Sequence, residues 1–159
     1  MLHPGETGER LSNDESVFRL LKSLKDGKVI PEHFALSSKD EASPLCALSV
    51  WAESLTTPSQ AIEFMNGNIQ EYSYYCRLQV HQVRSLTISE LPQPALDVVC
   101  DRLCIEGTSQ PDTRPGAEGH AGITGLRRSL NIPRSSYKTL RTRLADMANQ
   151  NLGMMVSTS

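Results

Sequence analysis

The residues with the widest chemical reach are four cysteines and four histidines. Cys100 and Cys104 stand four apart, which on a helix places both thiols on one face, where His81 or His120 would complete a metal site by geometry. Structural zinc sites draw short spacings from two segments, and this chain offers one such pair, so two buried thiols are the plainer reading and no cofactor is implied. A nucleophile pair of Cys76 or Cys46 with His81 is compatible with the sequence in an equally unspecific way. His120 stands in Glu118-Gly-His-Ala-Gly-Ile, at the end of a glycine- and proline-rich stretch. A loop histidine can serve as a base or touch a phosphate, with Glu118 near enough to orient it, although an exposed or capping histidine is commoner. The glycines around it fit neither a P-loop nor a dinucleotide fingerprint. Tyr72, Tyr74 and Tyr75 have rings that suit base stacking or ordinary packing.

Charge is unevenly distributed. The 159 residues carry a net charge of −2, yet residues 121–159 hold six basic side chains (Arg127, Arg128, Arg134, Lys138, Arg141 and Arg143) against one acid, Asp146. An acidic body with a basic end is a polarised molecule, and localised positive charge is the electrostatic footprint of a polyanion binder.

Within that end, residues 123–144, ITGLRRSLNIPRSSYKTLRTRL, resemble a helix-turn-helix DNA-binding motif of the bacterial-regulator kind, with Pro-Arg-Ser-Ser opening the second helix. Leu126, Leu130, Ile132, Tyr137 and Leu140 would fill the corner between the helices, Asn131 would make the turn and Pro133 would start the second helix. The resemblance implies a recognition helix lying in a major groove. Arg134 would then touch a base, Arg128, Lys138 and Arg141 would hold phosphates, and Ser135 and Thr139 would share the outward face. The match departs from the pattern at Arg127, where a small residue is usual. The competing reading is a solvated basic face on the last two helices of a bundle.

Elements must position these groups, and the hydrophobic spacing predicts mostly helices. Ser12-Asn-Asp-Glu15 has the capping-box pattern, and Val17, Leu20, Leu21 and Leu24 follow at helical spacing, predicting a helix over 13–26 closed by Gly27. Ser43-Pro44 and Thr57-Pro58 each place a capping hydroxyl before proline, predicting helices led by Leu45, Leu48, Trp51, Ala52 and Leu55 and by Ala61, Ile62 and Met65. Residues 72–83 fit both periods and are read as helix; further helices are expected over 95–105, 123–130 and 134–147. Residues 107–119, with two prolines and three glycines, form a loop or linker.

The expected architecture is mainly α: a free N-terminus over 1–11, a helical body over 12–106, a loop over 107–120, and a basic helix pair with its tail over 121–159. The alternative is α+β, with strands near 28–36 and 72–83. Hydrophobic residues at 38% and charged residues at 21% are ordinary for a folded domain. No signal-peptide pattern and no membrane-length apolar run is present, which leads to a cytoplasmic expectation without a membrane partner. The expected function is nucleic-acid binding, to DNA or RNA, by a regulator-like protein that gains contacts as a homodimer. The alternative is a helical interaction or structural module without catalytic activity, and no reaction is readable from the residues.

Overall fold

The structure, a computed structural model, describes residues 7–65, 67, 71–105 and 107–154. It is α+β, which corrects the mainly helical bundle. Six strands form one antiparallel sheet in the order β4-β5-β2-β1-β3-β6: β1 (Ser16–Leu21), β2 (Leu48–Ala52), β3 (Tyr74–Gln79), β4 (Asp97–Cys100), β5 (His120–Thr124) and β6 (Leu152–Met154). The α-helices are α1 (Ser38–Ala42), α2 (Pro58–Phe64), α3 (Val80–Ser85) and α4 (Arg134–Asn149), with 3-10 turns at Pro31–Phe34 and Ala117–Gly119.

Central strands explain most of the corrections. β1 sits between β2 and β3 and buries Val17, Phe18, Leu20 and Leu21 on both of its faces. A strand covered on both sides is a nearly continuous apolar run, and such a run also supplies i, i+3 and i+4 matches by chance. The helix expected over 13–26 is therefore a strand, and Ser12 makes a turn with Asp14 and Glu15 in place of a helix cap. β2 repeats the case with Leu48, Val50, Trp51 and Ala52 buried, and the helix start lies upstream instead, where Ser37 caps α1 in a capping box with Asp40. The 72–83 segment is divided: Tyr74–Gln79 is strand and Val80–Ser85 helix. Residues 95–105 contain β4, not a helix. The 28–36 segment of the α+β alternative is no strand either, because Pro31 opens a 3-10 turn.

The helix pair is corrected as well. Residues 120–124, where its first helix would begin, are β5, hydrogen-bonded to both β2 and β4, and 125–133 contain no helix. The α2 and α4 helices form where expected. Thr57 caps α2 by accepting from the Gln60 N–H, and Pro58 occupies the first turn, where its missing N–H costs nothing.

Helix α4 covers one face of the sheet. Tyr137, Leu140, Leu144, Ala145 and Ala148 pack on Val17, Leu21, Leu48, Val50, Leu78 and Ile123 as one buried cluster. The Asn149 side chain clamps the far end, accepting from the Val29 N–H at 2.8 Å and donating to the Val29 carbonyl at 2.9 Å. On the opposite face α2 places Ala61 and Ile62 against Phe18, Leu20, Trp51 and Tyr72 in a second, smaller cluster. No helix among the described residues is long and apolar enough to cross a membrane.

Candidate functional site

The antiparallel register of β2 with β5 pairs Ser49 with Gly122 and Trp51 with His120. Ser49 and His120 are therefore diagonal neighbours on one face, the offset at which cross-strand side chains still meet. Ser49 Oγ lies 2.7 Å from His120 Nε2. The other ring nitrogen, Nδ1, lies 2.5 Å from the Asp101 carbonyl oxygen and 3.7 Å from its carboxylate. Asp101 directly follows β4, and its own N–H donates back to the His120 carbonyl at 3.0 Å.

These contacts fix the tautomer by elimination. A carbonyl oxygen only accepts, so the ring proton sits on Nδ1, and Nε2 offers its lone pair to the Ser49 hydroxyl. Burial holds the His120 pKa below its ordinary value, opposed by the hydrogen bond and charge of Asp101 and by Asp40. A neutral imidazole that receives a serine proton and is oriented from behind is the arrangement of a general base beside a nucleophile. The Trp51 and His120 rings pack in a T-shaped pair, 70° apart with centroids at 4.7 Å.

Both side chains border a cavity of about 850 Å³. It lies where the sheet splits. The β1–β2 ladder joins only Val17 with Ala52 and Phe18 with Trp51. Where it would continue, Arg19 inserts its side chain, donating from Nε to the His33 carbonyl at 2.8 Å and from Nη1 to the Ser49 carbonyl at 2.7 Å. The Ser49 carbonyl thereby gains the partner that a continued β1 would otherwise have supplied. Aromatic residues Trp51, Phe64 and Tyr72 form the apolar wall; Trp51 and Phe64 stack with centroids 5.7 Å apart.

The glycine- and proline-rich loop borders this wall from outside. Arg114, paired with Asp112 at 2.7 Å, stands 4.3 Å above the Phe64 ring. At the loop's end the Thr56 hydroxyl donates to the Gly116 carbonyl, and a Cβ on Gly119 would collide with that same Thr56 Oγ1. Only glycine allows β5 to enter the sheet this close to Thr56, which sets where His120 stands.

The candidates named from sequence fare differently. His120 belongs to the site, but Glu118 is exposed and Asp101 is the orienting residue. Cys100 is buried on β4 and Cys104 is exposed beyond it, so they share no helix face; among the described residues no group of three metal-binding side chains forms. Cys76 is buried against Arg19, and burial pushes its thiol up to about 12, leaving it protonated at neutral pH, while His81 is exposed on α3. Cys46 is half-buried, bonded to the Glu41 and Ser43 carbonyls.

Of the residues assigned to a nucleic-acid face, Arg134, Ser135, Lys138 and Thr139 are exposed on α4, Arg141 is half-buried there, and Arg128 is exposed ahead of it. Thr139 gives its hydroxyl to the Ser135 carbonyl within the helix. Among the described residues no ion pair engages Arg128, Arg134, Lys138 or Arg141.

Arg19, Ser49 and Asp101 had no motif to announce them. The one available signal was Arg19 itself, a cation inside the apolar run Val17-Phe-Arg-Leu-Leu21. No protein-family model matches the chain, and neither a curated protein nor a solved structure matches it.

Proposed function

We propose that this chain is an enzyme that hydrolyses an ester-type bond in a small molecule, with Ser49 as nucleophile, His120 as general base and Asp101 as the residue that orients it. The observation carrying this reading is the 2.7 Å contact of Ser49 Oγ with the unprotonated Nε2 of His120 at the wall of a cavity large enough for a small organic substrate. Ser49 Oγ attacks the substrate carbonyl carbon as its proton passes to Nε2. The bond to the leaving group then breaks, and His120 returns that proton to the departing oxygen. Water completes the cycle: it loses a proton to His120, its oxygen attacks the acyl carbon, and Ser49 leaves with the proton restored.

A fluorophosphonate probe followed by peptide mass spectrometry tests this. Labelling confined to Ser49, lost in His120→Ala, together with hydrolysis of p-nitrophenyl acetate falling at least about 1,000-fold in Ser49→Ala, is the expected result. Equal hydrolysis by wild type and Ser49→Ala would overturn it.

A second reading, nucleic-acid binding, draws support from α4. Arg134 and Lys138 stand one turn apart on its outer surface, free of ion pairs among the described residues, with Arg128 nearby in sequence. Bearing no second helix to brace it in a groove, this face suits phosphate contacts better than base reading. A gel-shift titration checks it: Arg134→Glu with Lys138→Glu should weaken binding at least about tenfold and flatten its salt dependence, and unchanged affinity and slope would dismiss it.

A further inference from the structure

Resting on the hydrolase reading, we infer that the substrate carries a carboxylate and that Arg19 binds it. A guanidinium has five N–H donors. Arg19 commits one at Nε to His33 and one at Nη1 to Ser49, and no carboxylate pairs with it among the described residues. Yet no buried side-chain nitrogen or oxygen among the described residues lacks a partner. Nη2, which has no partner among the described residues, is therefore not closed off, and the open space that Arg19 borders is the cavity.

The cation is held there against a cost. Burial weakens its hold on the proton, and the charge of Asp40 offsets this only in part. A side chain whose only task was to bond two carbonyls would need no charge. An arginine with N–H donors left over on its outer nitrogens can hold a carboxylate by charge-assisted hydrogen bonds.

Three further observations bear on the anion. The cavity is bordered by four cations, Arg19, Lys22, Lys39 and Arg102, and three carboxylates, Glu32, Asp40 and Asp101. Lys22, exposed and 3.1 Å from Glu71, is already engaged. With Lys22 paired to Glu71, three cations face three carboxylates, and a rim without surplus positive charge suits a monoanion better than a phosphate monoester carrying nearly two charges. Finally, Nη1 bonds the carbonyl of Ser49 itself, so the anion sits beside the nucleophile and fixes which bond of the substrate meets Oγ. The aromatic wall of Trp51, Phe64 and Tyr72 receives the apolar remainder.

Benzoate, benzamide and phenyl phosphate, added singly to the wild-type protein, test the inference through NMR titration of the Trp51 indole N–H. Benzoate is expected to bind at least about 30-fold more tightly than benzamide, the neutral molecule of the same shape, as befits charge-assisted hydrogen bonds. Arg19→Lys, which keeps the charge and loses the fork, should weaken benzoate about tenfold, and Arg19→Met should abolish the preference over benzamide. Equal binding of benzoate and benzamide by the wild type would overturn the inference even if no variant folds, and so would a preference for phenyl phosphate over benzoate. Ser49→Ala separates the two proposals. Benzoate binding retained in this variant, with wild-type hydrolysis absent, refutes the hydrolase and leaves the carboxylate site standing. Hydrolysis in the wild type without benzoate preference does the reverse.

Discussion

The two faces of the sheet are made by the same strands and treat burial in opposite ways. Toward α4, β1, β2 and β5 present Val17, Leu21, Leu48, Val50, Ala121 and Ile123, and the helix answers with Leu140 and Leu144, both fully buried. Toward the cavity, β2 and β5 present Ser49, Trp51 and His120, and the gap between β1 and β2 is filled by a cation. The first side gains free energy by excluding water from close-packed apolar groups. The second spends some of that gain on holding polar groups in fixed relation, with every buried one satisfied among the described residues. Damage to the α4 side should therefore appear as lost stability with the chemistry intact, and damage to the cavity side as the reverse.

The sharpest way to break this contrast is Leu140→Ala. Removing a fully buried leucine from the α4 face should cost about 3 kcal/mol, from the lost transfer free energy and the cavity left behind. Urea unfolding reads the loss, and ester hydrolysis per folded molecule should stay within about twofold of wild type in the absence of urea. A variant that keeps its stability would show that α4 is not the main cover of the sheet.

How much of this was visible beforehand depends on which side a segment faces. Helix α4 was legible because one of its faces is solvated, so that Tyr137, Leu140 and Leu144 alternate with Arg134, Lys138 and Arg143 at helical period. Likewise Thr57-Pro58 announced α2 through local capping chemistry that needs no tertiary partner. β1 and β2 were misread because burial on both faces erases the period-2 alternation that marks a strand. The basic end misled for a related reason: Leu126, buried in the α4 core, continued an apolar spacing begun by Ile123 of β5, and the two together imitated one helix. At the site, His120 was visible as a residue type in an unusual context. Its partners Ser49 and Asp101 lie 71 and 19 residues away in sequence, and only the β2–β5–β4 pairing brings them together.

Gly119→Ala joins the two sides of the comparison. Its Cβ would strike Thr56 Oγ1 and crowd the Leu55 Cβ at 3.1 Å, forcing the start of β5 outward. A loss of about 2 kcal/mol is expected from overpacking against the Thr56 and Leu55 side chains. Because His120 is the next residue, hydrolysis should fall with stability, at least about tenfold, in contrast to Leu140→Ala. Thr56→Ser, which removes a methyl group and keeps the hydroxyl that bonds the Gly116 carbonyl, should leave both nearly unchanged.

Ser49→Ala isolates the cavity side. It removes one hydrogen bond and leaves His120 Nε2 facing the cavity, so a stability change of about 1 kcal/mol or less should accompany the complete loss of fluorophosphonate labelling. Thermal unfolding of the wild type and the variant side by side provides the measurement. A loss several times larger would mean that the Ser49–His120 contact is chiefly a structural bond of the β2–β5 pair.

The mildest perturbation is pH. His120 is held neutral in the folded chain, first by burial, while Asp101 and Asp40 pull its pKa up and Lys39 pulls it down. An unfolded histidine takes up its proton near pH 6.5, about where the model peptide titrates, and the folded one does so only at lower pH. Between those two points the unfolded state binds more protons, so stability falls as the pH drops below about 6.5, and the loss stops growing once the folded histidine is also protonated. His120→Asn should remove this slope from urea midpoints measured between pH 7.5 and 5. Hydrolysis should follow the folded pKa instead, because the base works only when neutral. Asp101→Asn keeps the backbone carbonyl that accepts from Nδ1 and deletes the charge that favours the imidazolium, so the acidic limb of the rate profile should move to lower pH. A limb that stays in place while the rate collapses would instead assign the Asp101 carboxylate to positioning the loop after β4, leaving the carbonyl alone to orient the base.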